Sequence, residues 1–419
     1  MRVLWVAFAC APGRGSEPGL GYRLAREVAR CVRSLVVLTA SHNRGAIEEG
    51  AALPANVTVE YVPAPNLRGE FGHRVSYLVW LARALARARE LHASEPFDLV
   101  HHVTYAMSWI PPLPGRLGVP FIWNAGNILA TPMSFLSARH LRGSLAELTR
   151  NLVVAMGWRI SRRLVRPDAV TLGHPSRDLG CRPFFLPALE ADTEVEDLSP
   201  SRGRSRSAGL RVVSVSRLLY LKGIHLALEA FGQVAGPDWE YLVVGAGPEE
   251  VRLRRLAERL GVGNRVRFLG WLPRADVLDL LARCDVFCLP SLHDSFSWAV
   301  LEAMAAGLPV VCLDRGGPGL VVDGRVGVKV AARGPRQVVA DLARALRALA
   351  DDAPRRRAMG EAARQLVLER HTWDVRAREI VSLYEDVLRA WGRAGDDPEG
   401  AGGLPAEESP VGRPEDSHE

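Results

Sequence analysis

The stretch HDSFSWAVLEAMAAGLPVV, residues 293–311, combines a polar turn, a helical pattern and the start of a buried strand. Its apolar side chains predict a helix at Phe296–Ala306, and an uninterrupted apolar run predicts a strand at Val310–Leu313. Another strand is predicted just before the stretch, at Val286–Leu289. Two strands joined by a helix are typical of a parallel α/β sheet, so this stretch indicates the fold class.

The same alternation continues on both sides of this stretch. In the second half of the chain, further strands are predicted at Leu210–Ser216, Tyr241–Val244 and Val266–Leu269. The first half has its own set of predicted strands, at Val3–Ala9, Leu35–Thr39, Val57–Val62, Leu99–Val103 and Pro120–Trp123. The sequence therefore predicts two doubly wound, Rossmann-like α/β domains with ligands at the carboxyl ends of their strands.

Length and local composition set the predicted domain boundaries. A chain of 419 residues is long enough for two domains. The segment LSPSRGRSRSAG is polar and repetitive, which favours a linker, and the acidic C-terminal residues favour a disordered tail. The predicted units are a first domain at 1–197, a linker at 198–209, a second domain at 210–370, a last helix at 371–392 and a tail at 393–419.

Charge is unevenly distributed along the chain. The net charge is +6, and residues 393–419 carry −6, which leaves +12 on the body. A basic body suits anionic ligands such as nucleotides, but it also suits nucleic acid or an anionic membrane surface. The arginines are not interleaved with aromatic residues in a recognisable module, so no nucleic-acid partner is predicted.

The cysteines and the N-terminus bear on metal content and location. Six cysteines are scattered without a C-x-x-C pair, and no histidine cluster has zinc spacing, so no metal site is expected. The apolar run in residues 1–10 is short and favours a buried strand over a signal peptide. No apolar run reaches the length of a membrane span. A cytoplasmic location is expected, with the inner face of the membrane as an open alternative.

Two acids stand out in the opening stretch. On the predicted helix, Glu302 shares an apolar face with Trp298 and Ala305, where a carboxylate is costly unless a polar group meets it. A neighbouring backbone group or arginine satisfies that need, and so do the hydroxyls of a ribose. Asp294, at a strand-to-helix turn, is placed to bind sugar hydroxyls.

Two cations occupy a comparable turn earlier in the second half. Arg217 follows a predicted strand, and Lys222 with Gly223 precedes the next predicted helix. The dipole and free N–H groups of a helix N-terminus add to the charge of such side chains. The pair therefore predicts a diphosphate site.

These motifs together resemble those of family 4, or group 1, retaining glycosyltransferases. The D-x7-E spacing of Asp294 and Glu302 is similar to the family's E-x7-E signature. The Arg217 and Lys222 pair precedes it, and the remaining motifs follow the family's order as VVGAGP at 243–248, RFLGW at 267–271, GGP at 316–318 and VDG at 322–324. The resemblance implies the GT-B fold, in which two Rossmann-like domains face a central cleft.

The resemblance also implies an activity and donor-side roles. A hexose-type sugar would move from a nucleoside diphosphate sugar to a hydroxyl acceptor with retention, without a bound cofactor or metal. Polysaccharide, glycolipid and natural-product acceptors all stay open. Arg217 and Lys222 would hold the diphosphate and Glu302 the ribose, while Phe268 would lie near the base. The residues placed near the donor sugar are Asp294, Ser295, Phe296 and Ser297.

Two motifs of the first half resemble the family less closely. GSEPGLGY at 15–22 is similar to the glycine loop of the acceptor domain, and DLVHHVTY at 98–105 is similar to a strand ending in a histidine beside the reacting centre. His102 is therefore assigned to catalysis together with Asp294, Arg217 and Lys222, although an isolated histidine also fits a structural role. The acceptor side or phosphate loop is assigned to Glu17, Gly19, Gly21, His101 and Asn124.

Other functions compete with this interpretation. Asp294 is one methylene shorter than the family's glutamate, so a noncatalytic or degenerate nucleotide-sugar-binding protein is the alternative. The glycines in GAG at 245–247 suggest an NAD-dependent oxidoreductase, but Glu250 stands where the third glycine of that motif belongs.

Two further features leave alternatives open. Arginines follow an apolar run that starts at Tyr77 and another at Leu152–Trp158, so each helix fits either a peripheral contact with an anionic membrane or a solvated face. The basic residues concerned are Arg83, Arg87, Arg89, Arg159, Arg162, Arg163 and Arg166. The last predicted helix either crosses back to the first domain or packs within the second. The sequence indicates no oligomeric state.

Overall fold

The computed structural model describes residues 1–13, 16–67, 69–125, 131–136, 141–172, 182–183, 188–189, 209–294 and 297–396. The predicted linker lies outside these residues except for Gly209, and so does most of the predicted tail. The proposed boundaries of the domains therefore stay predictions.

A seven-stranded parallel sheet forms the first half of the chain, in the order β3-β2-β1-β4-β5-β6-β7. The order reverses between β1 and β4, as in doubly wound folds. Strands β6 and β7 are short and were not predicted. The strands β1 to β7 are Arg2–Ala7, Ser34–Ala40, Val57–Val62, Leu99–Thr104, Phe121–Asn124, Ala169–Leu172 and Arg182–Pro183.

The second sheet has six parallel strands in the order β10-β9-β8-β11-β12-β13. It reverses between β8 and β11, so a second crevice opens at the carboxyl ends of its strands. The strands β8 to β13 are Arg211–Val215, Glu240–Val244, Val266–Gly270, Val286–Leu289, Val310–Leu313 and Gly327–Val330. The predicted α/β class is thus confirmed.

Helices cover both sheets. In the first half, α1 to α4 are Ser16–Ala29, Arg44–Glu48, Gly69–Ser94 and Leu141–Leu164. In the second half, α5 to α12 are Ile224–Val234, Glu250–Arg259, Arg274–Leu281, Trp298–Ala305, Gly316–Val321, Pro335–Asp351, Ala353–Arg370 and Trp373–Asp396. One buried cluster forms the core of the second half, and two clusters lie on opposite faces of the first sheet.

The last helix, α12, leaves the second half and packs against α1 and the first sheet. The Trp5 indole N–H donates to the Tyr384 hydroxyl at 2.9 Å, and the same hydroxyl lies 2.7 Å from Nδ1 of His101. All three side chains are almost fully buried. Helix α12 therefore joins the two halves of the chain through a buried polar contact.

The glycine motif at residues 15–22 is not a loop, which corrects the sequence-based expectation. Gly15 lies outside the described residues, but helix α1 begins at Ser16 and includes Glu17, Gly19 and Gly21. Proline is tolerated in a first helical turn, so Pro18 does not prevent this start. A Cβ atom at Gly21 would lie 2.8 Å from the carbonyl oxygen of Ala9. This glycine thus lets the helix pack closely against the chain that leaves β1.

We expect Tyr384→Phe to destabilise the protein, because it leaves two buried nitrogen atoms, on Trp5 and His101, without their shared partner. A buried polar group that loses its hydrogen bond costs about 1–3 kcal/mol. Urea unfolding should show a loss of stability of this size or larger. The control is Tyr61→Phe, since the ring of that half-buried tyrosine contacts Arg44. Equal stabilities of the two variants would contradict the structural role of the Tyr384 hydroxyl.

Candidate active site

A cavity of about 780 Å³ lies where the carboxyl ends of the two sheets face each other. Its wall contains side chains from both halves of the chain. From the first half come Glu17, Arg74, Tyr105, Trp109, Asn124 and Arg150, and from the second half come Arg217, Lys222, His293, Asp294 and Trp298. Its place matches the crevice in which doubly wound sheets bind ligands.

The turn between β8 and α5 supplies two of the cations in this wall, Arg217 and Lys222. Lys222 ends a short 3-10 helix, and Gly223 follows it with a φ of 70° as the N-cap of α5. A Cβ atom at Gly223 would lie 2.0 Å from the carbonyl oxygen of Pro290, so this backbone approach requires glycine. Both cations therefore lie beside a helix N-terminus, the arrangement expected of an anion site.

Lys222 forms an ion pair with Asp294, at 2.7 Å between Nζ and Oδ2. The two side chains are only 14% and 9% exposed, so water screens the pair weakly. Backbone contacts hold the two loops in register, since the amide of Leu292 donates to the carbonyl of Leu221 at 2.7 Å. The predicted phosphate and sugar residues thus occupy one corner of the cavity.

The same corner carries further positive charge. Burial lowers the pKa of His293 to about 3, and the nearby charges of Arg150, Lys222 and Arg315 act in the same direction. His293 is therefore neutral at physiological pH. Because Arg150 belongs to α4 and the other two cations belong to the second half, both halves of the chain contribute positive charge here.

Glu302 lies on α8 and outside the wall of this cavity. Its Oε1 accepts a hydrogen bond from Nε of Arg274 at 2.8 Å. The carboxylate is thus met by an arginine, which is one of the two alternatives derived from the sequence. A carboxylate has about four lone-pair positions, so this contact is compatible with a diol bound at the same time. The ribose role of Glu302 stays a prediction.

On the first-half wall, Glu17 meets the backbone after β4. The amide of Tyr105 donates to Oε1 of Glu17 at 2.5 Å. Glu17 is open to the cavity but enclosed by protein on its other sides, and this loss of bulk water raises the pKa of its carboxyl group. Tyr105 has a φ of 57° and is the one non-glycine residue of the described chain with a positive φ. Such strained backbone is concentrated at functional sites.

The histidines assigned by sequence lie behind this wall rather than in it. His101 and His102 are each 1% exposed on β4. His101 bonds Tyr384, and Nε2 of His102 lies 3.0 Å from the hydroxyl of Tyr77. Burial lowers the pKa of both histidines to about 3, so both are neutral. The structure therefore does not bring His102 to the cavity, and its assignment to catalysis finds no support in this geometry.

Of the other predicted residues, some line the cavity and some do not. Asn124 lines the cavity and donates to the carbonyl of Val103 at 2.8 Å. Phe268, Ser297, Gly19 and Gly21 do not line it. Ser295 and Phe296 lie outside the described residues. The cavity thus unites Arg217, Lys222, Asp294, Glu17 and Asn124.

Sequence reasoning missed two arginines in the wall, Arg74 on α3 and Arg150 on α4. Arg74 lies over the ring of Trp109 at 5.3 Å, and Arg150 bonds Glu147 on its own helix. Neither has a local sequence signal, because the chain has 53 basic residues in all. Tyr105 could have been found, since it ends the DLVHHVTY motif two residues after a predicted strand.

Metal ligands and membrane spans can be assessed for the described residues only. Within them, no three His, Cys, Asp or Glu side chains converge in a way that could hold a metal ion. Of the helices in that part of the chain, none is both long and apolar enough to cross a bilayer.

Known proteins resemble this chain over its second half and, at lower identity, over most of its length. A family model described as glycosyl transferases group 1 matches residues 199–366. 2-Deoxystreptamine glucosyltransferase of Streptomyces kanamyceticus is 29% identical over 320 residues, which cover 71% of this chain and 79% of that protein. D-inositol 3-phosphate glycosyltransferase of Corynebacterium kroppenstedtii is 36% identical over 227 residues, which cover 49% of each protein.

Solved structures share the whole fold. Sucrose-phosphate synthase from Thermosynechococcus elongatus has a TM-score of 0.66 at 18% identity, over 93% of this chain and 99% of that chain. HepE of Anabaena, solved with UDP and glucose, has a TM-score of 0.56 at 19% identity, over 92% and 99%. The predicted GT-B architecture is confirmed by these likenesses. Together with the family match over residues 199–366 and the curated relatives, they support the resemblance to group 1 glycosyltransferases that the sequence motifs indicated.

Proposed function

We propose that the protein is a retaining enzyme that moves a hexose-type sugar from a nucleoside diphosphate sugar to a hydroxyl acceptor. The observation that carries this proposal is one cavity with two different walls. The wall from the second half presents Arg217 and Lys222 beside Asp294, whereas the wall from the first half presents Glu17 and Asn124 beside Arg74 and Arg150. The name of the Streptomyces relative gives glucose as the sugar that it moves, which supports a hexose.

The wall from the second half fits a diphosphate leaving group. As the bond between sugar and diphosphate breaks, negative charge grows on the phosphate oxygens. Arg217, Lys222 and the first N–H groups of α5 are placed beside this charge before the reaction begins, and such preorganised groups lower the barrier. Lys222 has three N–H donors and uses one on Asp294, so the same ammonium can bind a phosphate oxygen.

Asp294 and Glu17 fit hydroxyl groups on the two sides of the reacting centre. We propose that Asp294, fixed by Lys222, accepts hydrogen bonds from the donor sugar. Glu17, held by the amide of Tyr105, is proposed to position the acceptor hydroxyl. In this proposal residues 1–197 form the acceptor side and residues 210–370 the donor side, and closure of the cleft excludes water. The proposal also includes retention of the anomeric configuration and a cytoplasmic location, both of which are expectations from the sequence.

The first test is Arg217→Ala. Hydrogen bonds to charged groups contribute about 1.5–3 kcal/mol, so the variant should bind the preferred donor about tenfold or more weakly. Isothermal titration calorimetry with UDP-, GDP- and dTDP-sugars measures this and identifies the base. Arg255→Ala removes an exposed arginine from α6 and is the matched control. Equal donor affinities for wild type and Arg217→Ala would rule out the phosphate assignment.

The second test concerns Glu302 and the ribose. Wild-type protein should bind the preferred nucleoside diphosphate more tightly than its 2′-deoxy form, because the missing hydroxyl loses a charge-assisted hydrogen bond of about 1.5–3 kcal/mol. Glu302→Gln should largely abolish this preference. Arg274→Gln, which keeps the carboxylate, should retain the preference while reducing stability. If Glu302→Gln discriminates between the two nucleotides as wild type does, the ribose role is wrong.

The third test concerns stereochemistry. Nuclear magnetic resonance of the first-formed product, taken before anomers interconvert, should show the anomeric configuration of the donor sugar. Slow hydrolysis of the donor supplies this product when no acceptor is known. An inverted product would overturn retention but leave sugar transfer intact. Donor binding without turnover in the presence of hydroxyl acceptors would instead favour a noncatalytic binding protein.

A further inference from the structure

Helix α4 carries apolar residues on two opposite sides. Val154 and Trp158 are 5% and 7% exposed and point into the first half of the chain. The ring of Trp158 stacks on Trp123 of β5 at 5.1 Å. This inward side is what anchors the helix to the sheet.

The outward side of α4 is also apolar, although it faces solvent. Six of its seven side chains recur at intervals of three or four residues, and Val153 lies beside Leu152, so all seven share one side of the helix. Their exposed fractions are 61% for Leu145, 44% for Leu148, 61% for Leu152, 43% for Val153, 55% for Met156, 51% for Ile160 and 52% for Leu164. Single exposed leucines are common, but a contiguous set of this size marks an interaction surface. We call these seven residues the α4 patch.

Among the described side chains of α4, the exposed charged residues are arginines. They occupy the last two turns of the helix at Arg159, Arg162 and Arg163, and Arg166 lies two residues beyond its end. The acid of this helix, Glu147, is buried and accepts hydrogen bonds from Thr131 and Arg150. The α4 patch thus combines large apolar side chains with cations and offers no exposed carboxylate of its own helix.

We propose that the α4 patch docks this protein on an anionic lipid bilayer. Leucine, isoleucine and methionine side chains insert at the boundary of headgroups and acyl chains, while arginines bind lipid phosphates. From Leu145 to Leu164 the helix is roughly 30 Å long at 1.5 Å per residue. Because its inward side, with Val154 and Trp158, packs on the first half of the chain, the helix can lie only along the membrane surface. A second copy of this chain fits less well, because it would bring the same cations without acids to pair with them.

The α4 patch is continuous with the cavity. Val153 belongs to both, and its neighbours Thr149, Arg150 and Val154 line the cavity wall. A bilayer under α4 therefore lies beside the first-half wall, where the proposed function places the acceptor. The surface fits an acceptor presented by the membrane, such as a lipid-linked sugar. This choice of acceptor rests on the proposed function, whereas the docking itself does not.

Helix α3 is the other helix for which the sequence suggested a membrane contact. It differs from α4 in the direction of its apolar side chains and in the pairing of an arginine. The apolar run that starts at Tyr77 is directed inward, since Tyr77, Trp80 and Leu81 are fully buried. Arg87 pairs with Glu60 at 3.0 Å and with Glu90 at 2.8 Å. Helix α3 is therefore a packed domain helix, and the membrane surface is assigned to α4 alone.

The test is flotation of the full-length protein with vesicles. The wild type should bind equimolar phosphatidylcholine and phosphatidylglycerol at least about tenfold better than pure phosphatidylcholine, and high salt should weaken this binding. The double variant Leu152→Ser/Met156→Ser should bind at least about tenfold more weakly than wild type. Leu78→Ser/Val251→Ser removes two exposed apolar side chains elsewhere and should bind normally.

A second pair of variants isolates the charge. Arg159→Gln/Arg163→Gln should lose most of the preference for anionic vesicles, while Arg355→Gln/Arg357→Gln, with the same change in net charge, should keep it. Equal effects of the two pairs would mean nonspecific attraction by a basic protein and would overturn the docking site. Absence of wild-type binding would overturn it as well.

Two controls separate this inference from its alternatives. If sedimentation velocity shows a dimer that Leu152→Ser/Met156→Ser dissociates, and vesicles are not bound, the α4 patch is a contact between copies and the proposal is wrong. Calorimetry with the preferred nucleotide sugar should give the same affinity for all four double variants. Donor binding without vesicle binding defeats the docking alone, whereas vesicle binding without donor binding defeats the proposed function alone.

Discussion

The cleft depends on the return of α12 to the first sheet, and that return is fixed by the buried hydroxyl of Tyr384. The hydroxyl serves Trp5 and His101 together, and neither partner has access to water. Nearby, the Trp298 indole donates to the carbonyl of Ala188 at 3.0 Å and packs against Trp373. Because Trp298 also lines the cavity, the junction of the two halves is part of the site's own wall.

The charge distribution in the cleft depends on which of its cations and acids form ion pairs. The Lys222 and Asp294 pair keeps two largely buried charges compensated without a ligand. Burial and the surrounding cations keep His293 neutral, so this histidine adds no charge of its own to the corner. The opposite wall is different, because Glu17 is held by a backbone amide rather than by a cation. Of these two acids in the cavity wall, Asp294 is thus compensated by a cation and Glu17 is held by the backbone.

Sequence predicted five of the six strands of the second half, because strands and helices alternate regularly there, but it missed β13. It could not show that Lys222 meets Asp294, 72 residues away, since that contact depends on β8 and β11 being neighbours. The glycines and the proline in residues 15–22 predicted a loop where α1 in fact begins. The close packing of Gly21 against Ala9 outweighs the low helix propensity of these residues. For α3 and α4, apolar residues occur all around the helix, so only the tertiary structure shows which side is buried.

The aspartate at position 294 illustrates how a departure from the family pattern is accommodated. An aspartate carboxylate lies one methylene nearer its backbone than a glutamate carboxylate, so it reaches less far into the cavity. Lys222 has a long, flexible side chain, and it extends to this carboxylate from the neighbouring turn at 2.7 Å. The amide of Gly317 also donates to the carbonyl of Asp294, which fixes the backbone at this point. The loop thus holds the shorter acid in the cavity wall, in contact with a cation of the proposed phosphate site.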